Sequence, residues 1–180
     1  KIKFITINNG SLQNNKGVHL KNRKVKLNFL TEKDLQTIEI SKKMNIKNYA
    51  LSFTNSHLEI KKFNNLLPGV KKIFKIETKN ALKNLNKFFQ HGTYFLIDRG
   101  DLSKEIPVEK IPAVQRYIFR KAKKYKNTKI YIATNYLESM IDKPYPTRGE
   151  ANDIYSSLEM GAKGIVLAAE TAVGKYPKES

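Results

Sequence analysis

The chain has 180 residues, 34 Lys+Arg against 16 Asp+Glu for a net charge of +18, and 40% hydrophobic residues. That is enough for one domain with a real core, and no run approaches the roughly 18 apolar residues a membrane-crossing helix needs. With no cysteine in the sequence, disulfides, thiolate metal sites and cysteine nucleophiles are excluded, and a reducing, cytoplasmic setting is expected.

The excess positive charge invites a nucleic-acid reading, because such a field attracts polyphosphate. The distribution argues against it. The basic clusters at 21–26, 42–43, 61–62 and 121–126 are scattered along the chain, and they do not form one stripe interleaved with stacking aromatics. Neither a nucleic-acid partner nor a membrane is expected. A positive potential does suit small anionic substrates.

In chain order, a strand-like stretch at 1–7 leads into a polar Gly/Asn loop at 8–17. Six short apolar runs then read as strands, at 25–30, 49–53, 72–77, 94–97, 129–134 and 164–169. Helix-start signals fall between them: Thr31 before Glu32 and Asp34, Ser56 with Glu59, and Thr147 with Glu150. A helix from about Val108 puts Ile111, Val114 and Ile118 on one face. The helix after Thr147 does the same with Ile154 and Leu158 and stops at Gly161. Strict alternation of strand and helix means parallel strands with helical crossovers, an α/β fold. Periodicity leaves open whether the sheet is doubly wound or part of a closed barrel. The sequence has no GxGxxG and no GxxxxGK[ST], so the usual nucleotide loops give the open sheet no support.

Polar groups gather at the strand ends, where parallel α/β folds collect their ligands. Lys75 and Glu77 alternate with Phe74 and Ile76 and therefore share a face. Arg99-Gly-Asp101 follows the next strand and Thr134 closes the one after. A lysine with two carboxylates suits metal-assisted phosphoryl transfer. Magnesium takes one or two carboxylates plus substrate oxygens, and an ammonium steadies charge on the moving group. A Lys-x-Glu pair is equally the pattern of a surface ion pair. His19, His57 and His91 are too differently placed for a metal cluster; His57 reads as a first-turn helix residue and the others as loop residues. Glu138 and Met140 read as packing or support behind the site, and Arg148 and Glu150 as holding the barrel mouth or a subunit contact.

Three runs carry a resemblance: Thr134-Asn-Tyr-Leu-Glu-Ser-Met140, Pro144-Tyr-Pro-Thr-Arg-Gly-Glu150 and Glu170-Thr-Ala-Val-Gly-Lys-Tyr-Pro177. They are similar to the ATQMLESM, PxPTRAE and SGETAxGxYP runs of pyruvate kinases. Lys75-Ile-Glu77 resembles that family's KIE strand, and Arg99-Gly-Asp-Leu102 with Glu105-Ile-Pro107 its RGDLGxEIP loop. Asn9-Gly-Ser-Leu12 and Lys16-Gly-Val18 resemble the exit from the family's lid domain, and Thr31-Glu-Lys-Asp34 its SEKD.

The resemblance implies a (β/α)8 TIM barrel in part, about six of eight βα units over 21–180, with 1–20 the end of the lid domain. It implies transfer of the phosphoryl group of phosphoenolpyruvate to ADP, giving pyruvate and ATP. Lys75 would stand beside the moving phosphoryl group, and Glu77 and Asp101 would hold Mg2+. The backbone at Arg99, Gly100 and Asp101 would bind the substrate carboxylate. Thr134 would lie near the enolate carbon, and Ser52 near the phosphoryl group or a monovalent cation, K+ in the complete enzyme. A homotetramer is the family's implied assembly. The sequence departs from the pattern at Phe74, Asn80, Asp98, Asn135-Tyr136 and Ala168-Ala169. A diverged paralogue or pseudoenzyme binding a keto-acid or enolpyruvyl ligand and magnesium is the competing expectation. The 180-residue chain by itself is expected to be inactive, because the family's remaining strands and lid supply phosphate and potassium contacts. Steady turnover of phosphoenolpyruvate by this chain alone, in a coupled assay, would contradict that.

Overall fold

The computed structural model describes residues 5, 7–11, 14 and 27–180. The expected strand at 1–7 and the lid-exit motifs are only partly within that range. Leu12, Lys16-Gly-Val18, His19 and the start of the expected strand at 25–30 lie outside the described residues.

From there the chain alternates as its periodicity requires: α1 (Glu32–Lys43), β1 (Asn48–Leu51), α2 (His57–Leu66), β2 (Lys71–Ile76), α3 (Lys79–Lys83), α4 (Leu85–His91), β3 (Tyr94–Asp98), α5 (Arg99–Leu102), α6 (Ile111–Ala122), β4 (Lys129–Ala133), α7 (Arg148–Glu159), β5 (Ile165–Val166) and α8 (Ala169–Ala172). All three expected start signals form capping boxes. The hydroxyls of Thr31, Ser56 and Thr147 accept the N–H groups of Asp34, Glu59 and Glu150 at 3.2, 3.3 and 3.2 Å. In return those carboxylates accept the N-cap N–H groups at 2.7, 3.2 and 2.7 Å, so the orphan donors of each first turn are satisfied.

The strands form one parallel sheet in the order β1-β2-β3-β4-β5. Five strands are present among the described residues where six were expected. Residues 27–30 are not a strand: Leu27 is 80% exposed, Phe29 and Leu30 bend into the Thr31 cap, and no strand among the described residues pairs with them. An apolar run becomes a strand only where a neighbour takes up its backbone hydrogen bonds. For the same reason the run at 164–169 shortens to Ile165–Val166, which pairs with β4 alone before the chain turns at Ala168 into α8. His91 closes α4 and is not a loop residue.

Strand alternation divides the sheet into two chemically different faces. Phe74 and Ile76 of β2, Phe95 and Ile97 of β3, and Ile130 and Ile132 of β4 are buried at 2% exposure or less. They pack against the helices: Phe63 of α2 meets Phe74 at 6.2 Å, and Phe88 and Phe89 of α4 meet Phe95 at 6.4 and 5.1 Å between ring centroids. Each such side chain contributes about 1.5–3 kcal/mol by leaving water. Phe74, where the family pattern has a small residue, is thus an anchor of this layer. Gly92 lies against it, since a Cβ there would sit 2.7 Å from the Phe95 ring and 2.9 Å from Phe74. The opposite face is half-buried and carries Ile73, Lys75, Tyr94, Leu96, Asp98 and Tyr131.

α6 buries Ile111 and Ile118 as its periodicity predicts. α7 differs: Ile154 is half-buried, but Leu158 is 48% exposed and the fully buried residue is Ser157. Ser157 accepts hydrogen bonds from the Tyr136 hydroxyl at 2.8 Å and the Gln115 amide at 3.1 Å. Satisfying that polar knot turns α7 so that Leu158 faces out.

Glu150 ties the loop before α7 to the helix. It accepts the N–H and hydroxyl of Ser139 at 2.8 and 2.5 Å, and the N–H and hydroxyl of Thr147 at 2.7 and 2.9 Å. Burial pushes its carboxyl up, but the hydrogen bonds from Ser139 and Thr147 outweigh this and lower it from 4.5 to about 2. A carboxyl lowered in the folded state stabilises the fold above its unfolded pKa, and that contribution is lost as protons bind on acidification. The melting temperature should therefore fall between pH 4.5 and about 2. Glu150→Gln should start lower at neutral pH and show a shallower acid limb by calorimetry. An unchanged acid limb would remove Glu150 from that role.

Candidate active site

The carboxyl ends of β2, β3 and β4 bring the charged residues together. Lys75 is the fifth residue of β2 and Glu77 follows the strand, both on the half-buried face. The Lys75 ammonium lies 2.6 Å from Glu77 Oε1 and 2.9 Å from Asp98 Oδ2. Asp98 ends β3 and caps α5, which places Asp101 on the same side. The carboxylates of Glu77, Asp98 and Asp101 each offer an oxygen, and these three oxygens lie within 4.8 Å of one another. Lys104 pairs with Asp101 from the rim.

Glu77 is 1% exposed. Its Oε2 accepts the N–H of Phe53, fixing the turn after β1, where Phe53 is held at a φ of 50°. Its Oε1 is buried without a hydrogen bond of good geometry, and only the charge of Lys75 compensates it. Burial raises the Glu77 carboxyl above its ordinary value, against the pull of Lys75 and the Phe53 N–H. Burial also works to lower the Lys75 pKa, but hydrogen bonds and charge from Glu77 and Asp98 outweigh it, so the ammonium titrates above ordinary lysine. Asp101 resists burial through Lys104 and stays below the usual carboxylate range. Three carboxylates therefore face two ammoniums, one of them 58% exposed. That surplus of negative charge around an under-coordinated carboxylate oxygen fits a divalent cation, which favours such oxygens.

Thr134 follows β4 at a φ of 70°, and Asn135 at 57°. Two non-glycine residues in the left-handed region cost about 1–3 kcal/mol each. Arg99 holds the turn. Its Nε and Nη2 donate to the Thr134 carbonyl at 3.0 and 2.6 Å, Nη2 also reaches the Asn135 carbonyl at 2.7 Å, and Nη1 meets Asp153 at 2.5 Å. The guanidinium stacks 4.0 Å over the Tyr136 ring. Its side chain is therefore committed to the fold, away from Lys75. The Thr134 hydroxyl accepts the Gly100 N–H at 2.9 Å and donates to the Ala133 carbonyl at 2.6 Å, with Asp98 Oδ1 farther off at 3.4 Å. A side chain at Gly100 would crowd that hydroxyl, because its Cβ would lie 3.3 Å from Oγ1. The Asp101 N–H donates to Asp98 Oδ1 at 3.2 Å. Both turn N–H groups of the expected carboxylate seat thus have partners within the chain. Ser52 lies exposed just past β1, on the rim of an adjoining cavity of about 710 Å3 that Phe53, Asn55 and Glu59 also line.

Reading the residues as motifs missed Asp98 and Lys104. Asp98 was visible only as a departure from the family pattern. Yet counting by twos from Tyr94 through Leu96 places it on the face of Lys75. Lys104 lies three residues beyond Asp101, within one turn.

Fold and site together define an α/β protein whose charged cluster sits at the carboxyl ends of parallel strands. The family model described as pyruvate kinase, barrel domain, matches residues 1–180. Pyruvate kinase of Thermotoga maritima is 34% identical over 187 residues, covering 100% of this chain and 39% of that protein. For pyruvate kinase of Methanocaldococcus jannaschii the identity is 35%, covering 95% of this chain and 39% of that protein. For plastidial pyruvate kinase 3, chloroplastic, of Arabidopsis thaliana it is 33%, covering 98% and 31%. The chain belongs to the pyruvate kinase family, and it spans 31% to 39% of the length of these relatives.

Arg99→Lys keeps the charge but loses the planar fork that reaches both carbonyls. It should lower the unfolding free energy by about 1–3 kcal/mol, since the two carbonyls lose charge-assisted hydrogen bonds from a buried guanidinium. Urea denaturation measures this; a loss below about 0.5 kcal/mol, the range of a neutral surface change, would mean the turn holds itself.

Proposed function

We propose that this chain is barrel sequence of a pyruvate kinase-like phosphotransferase, which moves the phosphoryl group of phosphoenolpyruvate to ADP. The observation that carries this reading is the meeting of one ammonium, Lys75, with the carboxylates of Glu77 and Asp101 at the mouth of a parallel sheet. In the complete protein the five-stranded sheet would continue into a closed (β/α)8 barrel.

Glu77 and Asp101 would hold Mg2+, which supplies Lewis-acid polarisation of the phosphoryl oxygens when bound. Lys75, kept charged by its carboxylate neighbours, would lie against the transferring group and steady the charge on its equatorial oxygens. The P–O bond to the enol oxygen breaks as a P–O bond to the terminal phosphate of ADP forms. The enolate left behind takes a proton at carbon. The Thr134 hydroxyl, which accepts the Gly100 N–H, would hold or relay that proton at Oγ1. The turn at Arg99, Gly100 and Asp101 would seat the substrate carboxylate only after its N–H groups leave their internal acceptors. Ser52 would serve a phosphate or K+ beside Glu77. A homotetramer in the cytoplasm, without a nucleic-acid or membrane partner, completes the proposal. No helix of the described residues is long and apolar enough to cross a membrane.

A coupled assay of the full-length protein tests the reading. Lys75→Met should lower kcat about 10²–10³-fold, the loss typical of one preorganised charge stabiliser. Glu77→Ala should weaken Mn2+ binding, followed by electron paramagnetic resonance, by about tenfold or more. Wild-type turnover that survives both substitutions would place the chemistry elsewhere.

A further inference from the structure

We propose that Asp98 is a positioning residue of this site: it keeps the Lys75 ammonium in place when Glu77 and Asp101 are taken up by a cation. The inference deepens the phosphotransferase reading and rests on it.

Three carboxylates lie within reach of one ion, but they are not equally free. Among the described residues the cation paired with Asp101 is Lys104, whose side chain is 58% exposed and able to swing into solvent. Glu77 has Oε2 held by the Phe53 N–H, while Oε1 has no hydrogen bond and lies 2.6 Å from the Lys75 ammonium. Asp98 has both oxygens occupied. Oδ2 lies 2.9 Å from the Lys75 ammonium, and Oδ1 accepts the Asp101 N–H at 3.2 Å with the Thr134 hydroxyl at 3.4 Å. Asp98 is itself 8% exposed and is fixed in direction as the cap of α5. Its direction is thus set by Lys75 on one oxygen and by the α5 turn on the other.

The consequence follows from charge. Without a cation, Lys75 is shared between Glu77 at 2.6 Å and Asp98 at 2.9 Å. A divalent ion on Glu77 draws that carboxylate's field away from the ammonium and adds repulsion of its own. A half-buried ammonium that loses its counter-charge is driven toward solvent. Asp98 supplies the remaining counter-charge at a fixed point, one strand over from β2. The same carboxylate sets the Asp101 backbone, so the lysine and a metal ligand share one anchor.

The experiment uses the full-length protein with Asp98→Asn and Asp98→Ser. Both residues are good helix caps and preserve an acceptor for the Asp101 N–H while removing the charge beside Lys75. Three quantities are read: kcat and KM for phosphoenolpyruvate, Mn2+ affinity, and labelling of Lys75 by an amine-reactive ester with Mn2+ bound, by peptide mass spectrometry. The expected result is a kcat loss of about 10–100-fold, the scale of a misplaced reacting group, with KM changed less. Mn2+ affinity should stay within about threefold of wild type, well short of the loss seen on removing a metal ligand's support. Lys75 should label severalfold faster in both variants. A fall in Mn2+ affinity of about tenfold or more would make Asp98 a metal ligand and overturn the proposal. Unchanged labelling and unchanged kcat would reduce Asp98 to a helix cap and overturn it equally. If the unsubstituted protein does not turn over phosphoenolpyruvate, the phosphotransferase reading fails, while Mn2+ affinity and Lys75 labelling still decide the role of Asp98.

Discussion

A half-buried ammonium held between two carboxylates on neighbouring parallel strands is the constraint around which this structure is arranged. Lys75 reaches Glu77 along its own strand and Asp98 across to the next. Burying these charges without partners would cost several kcal/mol each, so the strands must keep the register that pairs Lys75 with Leu96. A one-residue slip would turn all of them into the helix-side core. The Phe74, Phe95 and Ile97 layer blocks that slip, because those side chains fill the opposite face. The apolar layer and the charged cluster are two consequences of one register.

The turn after β4 shows the same economy. Thr134 and Asn135 adopt left-handed backbone, which asparagine tolerates but a β-branched threonine does not, and the strain is offset by Arg99 bridging both carbonyls. Arg99 in turn stacks on Tyr136, whose hydroxyl closes the buried Ser157–Gln115 knot under α7. Asn135 and Tyr136 depart from the family's usual pair, and here Tyr136 is a wholly buried part of the core. The departures are structural adjustments, with the lysine, both proposed metal carboxylates and the threonine left in place. Asp98 is different in kind, since it puts a charge directly into the cluster.

The open edges of the sheet bear on how the site is completed. β1 and β5 each have one neighbour among the described residues. The cavity lined by Phe29, Leu30, Tyr49 and Phe53 lies beside the unpaired edge of β1. The chain spans 31% to 39% of the length of the relatives it matches. The net charge of +18 gives the chain a positive field, although the cluster itself carries a surplus of carboxylates.

Much of this was legible in the residues. Period-two alternation put Lys75 and Glu77 on one face, capping boxes marked the starts of α1, α2 and α7, and strand–helix alternation required a parallel sheet. These are local properties, determined within a few residues by backbone geometry and hydrogen bonding. What tertiary structure decided depends on neighbours distant in sequence. Residues 27–30 have strand composition but no partner strand among the described residues. Leu158 has helical spacing but yields the buried side to Ser157, which has partners on other elements. Asp98 looked like an irregularity until β2 lay beside β3 and brought the Lys75 ammonium within 2.9 Å. A sequence specifies which groups a residue can offer, but pairing energies depend on separation and burial, and only the assembled sheet sets those.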